Sequence, residues 1–428
     1  MKLTLGVVAL LALLLLAAPL FVVVLGAAAL GFASIDVDLS VLAIEMLRLA
    51  DTPLLLSLPL FTLAGYVLAE AGTSQRLVRV TGALVGWLPS GLAVVGFLAC
   101  AVFTALTGAS GVTIVALGAL LLPALRQAGY DDRYSLGLVT ASGSLGLLLP
   151  PSVPLILYGI LAQQLDVGAA FTIQELFLAG LFPALLMVLL LCLWTWWRHR
   201  DGRIPTQPFD GREALAALWA ARWEVPLPFV VLGGVFGGVF AVSEAAAVTA
   251  AYVIVVECLF YREIPFRRLP KLMAEAGVMV GGILVILGAA LAFTNVLVDQ
   301  EIPQRLFETV SATVESRWLF LLILNVLLLA LGAVLDIFSA IVIMVPLILP
   351  LAVGYGIDPV HLGIIFLANM QIGYFTPPIG MNLFIASVRF RQPVTALYAA
   401  SWPFMVVLLL AVLLITYVPA LSLWLPGR

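Results

Sequence analysis

The sequence predicts an all-α, polytopic membrane protein with an internal repeat, and three observations carry that expectation. Of 428 residues, 20 are Lys or Arg and 23 are Asp or Glu, or 10 % charged, where soluble domains hold about 25 %. Hydrophobic residues make up 64 % and mean hydropathy is +1.20. Apolar runs long enough to cross ~30 Å of hydrocarbon recur along the chain. A self-match at a shift of 227 places two double prolines on each other. So few charges cannot cover a soluble surface, so a soluble enzyme is excluded. A net charge of −3 gives no basis for binding nucleic acid.

Taken in order, the apolar runs cover 3–32, 53–70, 91–125, 133–165, 175–197, 225–260, 274–298, 319–351, 361–388 and 400–424. The first follows Lys2 and is too long for a signal-peptide core, although Ala27-Ala28-Ala29 imitates a cleavage site; it reads as one retained helix. The run 225–260 splits near Ser243-Glu244 into two crossings. Arg198, Arg200, Arg203, Arg212 and Arg222 precede it, and Arg262, Arg267, Arg268 and Lys271 follow it. Basic residues are retained in the cytoplasm. The runs 91–125 and 319–351 carry polar or Gly-rich breaks, at Thr107-Gly108-Ala109-Ser110 and from Gly332 through Asp336 to Ser339. Read as re-entrant hairpins, they leave nine crossings, with the amino terminus inside and the carboxyl terminus outside. With Lys2, Arg76, Arg79, Arg126, Arg133, Arg389 and Arg391, 16 of 20 basic residues then face the cytoplasm. Arg48, Arg305, Arg317 and Arg428 lie outside.

The repeat sharpens this topology. At a shift of 227, Pro123 meets Pro350, Gly129 meets Gly356, Asp131 meets Asp358, Gly146 meets Gly373, and Pro150-Pro151 meets Pro377-Pro378. Five Gly or Pro identities stand where composition predicts about 0.3. Gln75-Arg76-Leu77 also meets Gln304-Arg305-Leu306. The hairpin mouths face opposite sides, so the repeats are inverted. Inverted repeats with broken helices at equivalent positions are the architecture of secondary transporters, with sites near the midplane. The organisation is a 1–52 amino-terminal helix and interfacial segment, a first repeat over 53–165, and scaffold helices with basic loops over 166–273. A second repeat over 274–390 and a carboxyl-terminal helix over 391–428 complete it.

The breaks supply the chemistry. Proline removes a backbone donor and clashes with the preceding turn, so Pro150-Pro151 and Pro377-Pro378 should unwind 133–165 and 361–388, helped by Gly143, Gly146, Gly373 and Gly380. Unwound backbone at membrane depth is tolerated where it is buried or lines a cavity. Its carbonyls can ligate a hard cation, and a half-helix amino terminus can face an anion. Thr107, Gly108 and Ser110 at one tip, and Gly332, Asp336 and Ser339 at the other, add hydroxyls, carbonyls and one acid. Ser142, Ser144, Ser152, Asn369, Thr376 and Asn382 lie by the breaks. Such oxygen ligands suit Na⁺, Mg²⁺ or Ca²⁺, and the lack of clustered carboxylates favours a monovalent cation, placed at Ser110, Gly146, Asp336, Gly373 and Thr376. Small hydroxyls also serve helix packing, whereas an intramembrane acid such as Asp336 is costly and usually functional. Glu70, Glu244 and Glu257 read as interfacial or packed on the scaffold, and Trp194, Trp196 and Trp197 as an interfacial belt. Cys100, Cys192 and Cys258 lie in apolar runs at no metal-like spacing. His199 and His361 are the only histidines, so metal and His-based catalytic sites are not expected.

Ala141-Ser-Gly-Ser-Leu-Gly-Leu-Leu-Leu-Pro-Pro-Ser152, running on to Tyr158-Gly159, resembles the large membrane subunit of TRAP (tripartite ATP-independent periplasmic) transporters, the DctM-like family. So do Gly356 to Gly363, Thr376-Pro-Pro-Ile-Gly-Met-Asn-Leu-Phe384, Pro59 to Gly65 and Leu178-Ala-Gly180. The resemblance spans nearly the whole chain. It implies an elevator-type permease in a bacterial or archaeal inner membrane. It further implies a small four-helix membrane subunit and a periplasmic substrate-binding protein as partners. The activity it implies is Na⁺-driven uptake of an organic anion (a dicarboxylate, sugar acid or keto acid), with no cofactor beyond the coupling Na⁺. Met370-Gln371 before Gly373 departs from the less polar residues common there. The rival reading is a stand-alone inverted-repeat permease that needs no binding protein. An intramembrane enzyme would need a Ser/Lys dyad, paired Asp or HExxH, and the sequence has none.

Overall fold

The computed structural model describes residues 2–16, 18–48, 52–200 and 208–428, and every regular element among them is helical. Arg203, counted above as cytoplasmic, lies outside the described residues.

The amino-terminal run is not one helix. It forms α1 (Lys2–Leu15) and α2 (Leu20–Ser34), with Pro19 as the α2 N-cap. Proline has no N–H to continue the ladder, and the chain doubles back there. A Cβ built on Gly6 would strike Leu30, and one on Gly26 would strike Leu10, so the pair is antiparallel. This removes the first of the nine expected crossings. It also brings the start of α1 to the level of Ser34, so an internal amino terminus and an external 36–52 segment do not go together. A short helix, α3 (Ser40–Arg48), follows.

The first repeat begins with a 3-10 turn at Pro53–Leu56 that leads into α4 (Ser57–Glu70), then α5 (Thr73–Val85). The first hairpin is α6 (Gly91–Thr107) and α7 (Ser110–Gln127). The broken helix is α8 (Asp132–Ser142) and α9 (Val153–Gln164), and α10 (Ile173–Arg198) closes the unit. Between the repeats lie α11 (Gly211–Ala220), α12 (Pro226–Phe236) and α13 (Val242–Val255), the last extended by a π turn to Phe260. The break expected at Ser243-Glu244 falls slightly earlier. Gly238 turns there at φ +69°, and Glu244 accepts the Ala241 N–H at 2.9 Å to cap α13.

The second repeat copies the first in order: α14 (Leu269–Asp299), α15 (Ile302–Thr313), hairpin α16 (Arg317–Gly332) and α17 (Ile337–Gly354). The second broken helix is α18 (Pro359–Gly373) and α19 (Met381–Phe390), followed by α20 (Val394–Tyr417) and the turn α21 (Ala420–Leu423). Among the described residues, seven helical segments are long and apolar enough to cross a membrane, two of them the hairpin arms α7 and α17.

The repeats are inverted. Equivalent helices α4 and α14 run antiparallel, since Tyr66 Oη reaches Met279 Sδ at 3.6 Å while Glu70 pairs with Arg268 at 2.9 Å. So do α10 and α20: Trp194 packs on Phe404 with ring centroids 4.9 Å apart, and Phe182 packs on Trp424, just past α21, at 5.5 Å. Small residues let backbones touch where lipid gives helices no hydrophobic reason to associate. A Cβ on Gly137 would stand 2.2 Å from the Ala400 carbonyl, and one on Gly65 2.6 Å from Thr107 Cα. The repeats also interlock. Arm α7 packs on α19, with Gly111 against Ile385 and Gly118 against Phe390, and α17 packs on α9.

Candidate functional site

Both double prolines sit where their helices stop. Pro150-Pro151 separates α8 from α9, Pro377-Pro378 separates α18 from α19, and both bonds are cis. The two breaks meet at the centre. Ser144 Oγ donates to the Gln371 carbonyl at 2.9 Å across a sequence separation of 227, so repeat-equivalent residues touch. Contacts of this kind lie on the pseudo-two-fold axis.

Each break is seated against its own hairpin tip, in matching register. A Cβ on Gly146 would fall 2.5 Å from Ala105 N, and one on Gly373 2.5 Å from Gly332 Cα. A shift of 227 carries Ala105 to Gly332 and Gly146 to Gly373. Both glycines are therefore required by close approach of backbones. The Gly143 carbonyl accepts Thr104 Oγ1 at 2.9 Å, which ties the first tip to its break.

The remaining expected site residues divide by what their polar atoms do. Thr107 and Ser142 return their hydroxyls to the Phe103 and Leu138 carbonyls of their own helices, and Thr376, in the second break, donates to the Ile372 carbonyl at the end of α18. Ser152 caps α9, donating to Leu147 O at 2.5 Å and accepting from Leu155 N. Asp336 caps α17: Oδ1 accepts Phe338 N and Ser339 N at 3.0 Å each, and Oδ2 accepts Ser339 Oγ at 2.5 Å. Asn369 donates to Asn325 Oδ1 at 2.6 Å, and Asn382 to Thr140 O at 3.4 Å. Their amide oxygens are buried with no partner among the described residues.

A cavity of about 550 Å³ lies between the tips and the helices α4 and α14, which form its scaffold wall, within the usual range for small-molecule sites. Of the residues expected from sequence, only Gly108 and Ser110 line it. They are joined by Ala109, Gly111 and Val112 of the first tip and by Ile337 and Phe338 of the second. Leu147 and Tyr374 line it from the breaks, and Tyr66, Glu70, Leu272, Glu275 and Met279 from α4 and α14. Sequence reasoning missed Tyr374, whose Oη accepts the Ile337 N–H at 2.9 Å, and the whole scaffold wall. Glu70, read as interfacial or packed on the scaffold, is part of that wall. Gln371 does not line the cavity; its Nε2 points to Met187 Sδ at 3.5 Å. Among the described residues no group of three His, Cys, Asp or Glu is placed to hold a metal.

The family model described as tripartite ATP-independent periplasmic transporter, DctM component, matches residues 5–421. The chain is 36 % identical over 387 residues to a C4-dicarboxylate TRAP transporter large permease protein DctM of Pseudomonas aeruginosa, covering 90 % of this chain and 89 % of that one. It is 34 % identical over 404 residues to the protein of the same description in Rhodobacter capsulatus, covering 92 % of each. Among solved structures it resembles the YdaH transporter of Alcanivorax borkumensis, with TM-score 0.57 at 17 % identity, over 90 % of this chain and 86 % of that one.

Proposed function

Because this chain belongs to the DctM component family of tripartite ATP-independent periplasmic transporters, it is a large permease subunit and not an enzyme, and we propose that it couples Na⁺ entry to organic-anion uptake. The observation that carries this reading is the meeting of two inverted-repeat helix breaks, each seated on a hairpin tip, beside a cavity bounded by the scaffold. Alternating access then moves the hairpin-bearing unit past α4 and α14 as an elevator. The partners are a small four-helix membrane subunit and a periplasmic binding protein that delivers the anion, and the place of work is the cell inner membrane.

Na⁺ suits the donor set, which is oxygen throughout. The candidate ligands are the carbonyls by Gly146 and Gly373 and the side chains of Ser110, Thr376 and Asp336. The unpartnered oxygens of Asn369 and Asn382 support a cation nearby, since a buried acceptor without a donor is costly.

Vesicles reconstituted with both partners test the proposal. Uptake should follow an inward Na⁺ gradient without ATP. Equal uptake with K⁺ in place of Na⁺ would remove the coupling, and uptake without binding protein would favour a stand-alone permease. Ser110→Ala and Thr376→Ala should each raise the Na⁺ needed for half-maximal uptake by about 5- to 150-fold, the equivalent of ~1–3 kcal/mol for a lost bond to a charged group. If both keep the wild-type Na⁺ dependence at wild-type protein levels, the ions bind elsewhere.

A further inference from the structure

The two hairpins present helix amino termini of equal length to one cavity, yet the termini are finished differently. The helix α17 has 18 residues, and its first three N–H groups are all taken. Ile337 N donates to Tyr374 Oη, and Phe338 N and Ser339 N donate to Asp336 Oδ1. The helix α7 also has 18 residues, but its N-cap is Ala109, which offers no side-chain cap. A shift of 227 sets Ala109 on Asp336. The N–H groups of Ser110, Gly111 and Val112 therefore keep no partner among the described residues, and all three residues line the cavity. Ser110 supplies a second, independent sign. The residue is 5 % exposed and lines the cavity, and its hydroxyl has no hydrogen-bond partner among the described residues. A hydroxyl and three amides left open in one place, at the start of a long helix and facing a cavity, form a donor set that a ligand can complete.

The rest of the wall fixes what that ligand carries. No Lys, Arg or His lines the cavity. Val112, Val115, Leu147, Phe338, Met381 and Ile385 make it largely apolar, and Glu70 and Glu275 are its lining acids. Open amides and the positive end of a helix dipole hold one carboxylate well. A second carboxylate on the same molecule would face apolar surface, Glu70 and Glu275, whose partners Arg268 and Lys271 are already engaged and do not line the cavity, or an α17 terminus already closed by Asp336. An unpaired buried charge of that kind is strongly disfavoured.

Resting on the transport reading above, we infer that the cavity takes a monocarboxylate with an apolar body, its carboxylate on the amides of Ser110–Val112 and the Ser110 hydroxyl, in preference to a dicarboxylate. The hydroxyl donates to the carboxylate while its lone pairs remain free for a cation.

The test uses the permease co-purified with its small membrane subunit, in saturating NaCl, with calorimetric binding of 4-methyl-2-oxopentanoate and of succinate. The branched monocarboxylate should bind at least tenfold tighter than succinate. Ala109→Asp copies the second tip's cap onto the first, and should weaken monocarboxylate binding by about tenfold or more while the thermal stabilisation by Na⁺ persists. If that variant does not fold, Ala109→Asn fills the same amides without charge and should also weaken binding. Succinate binding as tightly as the monocarboxylate, or wild-type affinity in the capped variant, overturns the inference while Na⁺ stabilisation leaves the transport reading standing. Failure of the wild-type protein to bind either acid, or to respond to Na⁺, overturns both.

Discussion

The first hairpin turns at Gly108–Ala109 through a left-handed glycine and the second over Ala333–Asp336 with a right-handed Ala333, so the turns and their side chains differ while the close backbone contacts beside them match. Gly146 meets Ala105 as Gly373 meets Gly332, and each break carries a cis Pro-Pro bond. The helices before the hairpins, α5 and α15, differ more. In α5, Arg76 is held by Glu224 at 2.5 Å, Glu257 at 3.3 Å and Glu263 at 2.5 Å, with the Tyr261 ring 4.0 Å away. In α15 its counterpart Arg305 is exposed and forms no ion pair among the described residues. Close backbone approach is what inversion cannot vary, because both halves must pack on the same axis. Capping and ion pairing are local, and each half has settled them separately.

The backbone contacts should give the largest effects. Gly146→Val or Gly373→Val forces a branched side chain onto backbone 2.1–2.6 Å away, where no flexible neighbour can give. The cost should exceed the ~1–3 kcal/mol of ordinary overpacking. Both variants should reach the membrane poorly and elute as aggregates in detergent. Gly282→Ala in α14 meets nothing within 4 Å and should be neutral or stabilising by up to about 1 kcal/mol. If only one of the two glycines is intolerant, the axis is less symmetric than the contacts imply.

Helices α5 and α15 come next. Arg76→Ala leaves Glu224 and Glu257, with side chains 2 % and 0 % exposed, without their cation. Losing one partner of a buried ion network costs about 3–5 kcal/mol, whereas Arg305→Ala should stay within about 0.5 kcal/mol. Thermal unfolding of the two variants in one detergent separates them. Equal melting shifts would mean that the Arg76 network does not anchor α5 more firmly than α15 is anchored.

How much of this was legible in the sequence follows from which signals are periodic and which are relational. Prolines and glycines act on their own backbone, so Pro150-Pro151, Pro377-Pro378, Gly146 and Gly373 could be read directly, and the shift of 227 exposed their partners. Pro19 carried the same signal, yet the apolar run around it was long enough to pass as one helix; the contacts of Gly6 with Leu30 and of Gly26 with Leu10 reveal the fold-back. Side-chain roles were less legible. Thr107, Ser142 and Thr376 looked like ligands, but a backbone carbonyl four residues back was available to each. Tyr374 lies inside the second break, between Gly373 and Thr376, but an aromatic there carries no oxygen-ligand signal, and the wall from α4 and α14 comes from segments whose local pattern does not mark them.

The smallest effects should appear at the caps, where the tips differ by one side chain. Asp336→Ala removes the acceptor for Phe338 N and Ser339 N, and losing a cap of this kind costs about 0.5–2 kcal/mol. Ala109→Asn adds the missing acceptor at the equivalent place, and should raise stability by a similar or smaller amount, because the α7 amides now lack a partner. The two substitutions should therefore shift the melting temperature in opposite directions. Ala109→Asn is also expected to weaken anion binding, so a gain in stability would accompany a loss in function, as at other sites kept open for a ligand. Measuring both quantities on the same preparation decides the matter. If Ala109→Asn leaves stability unchanged, the α7 amides are already satisfied, and the difference between the two tips has no energetic content.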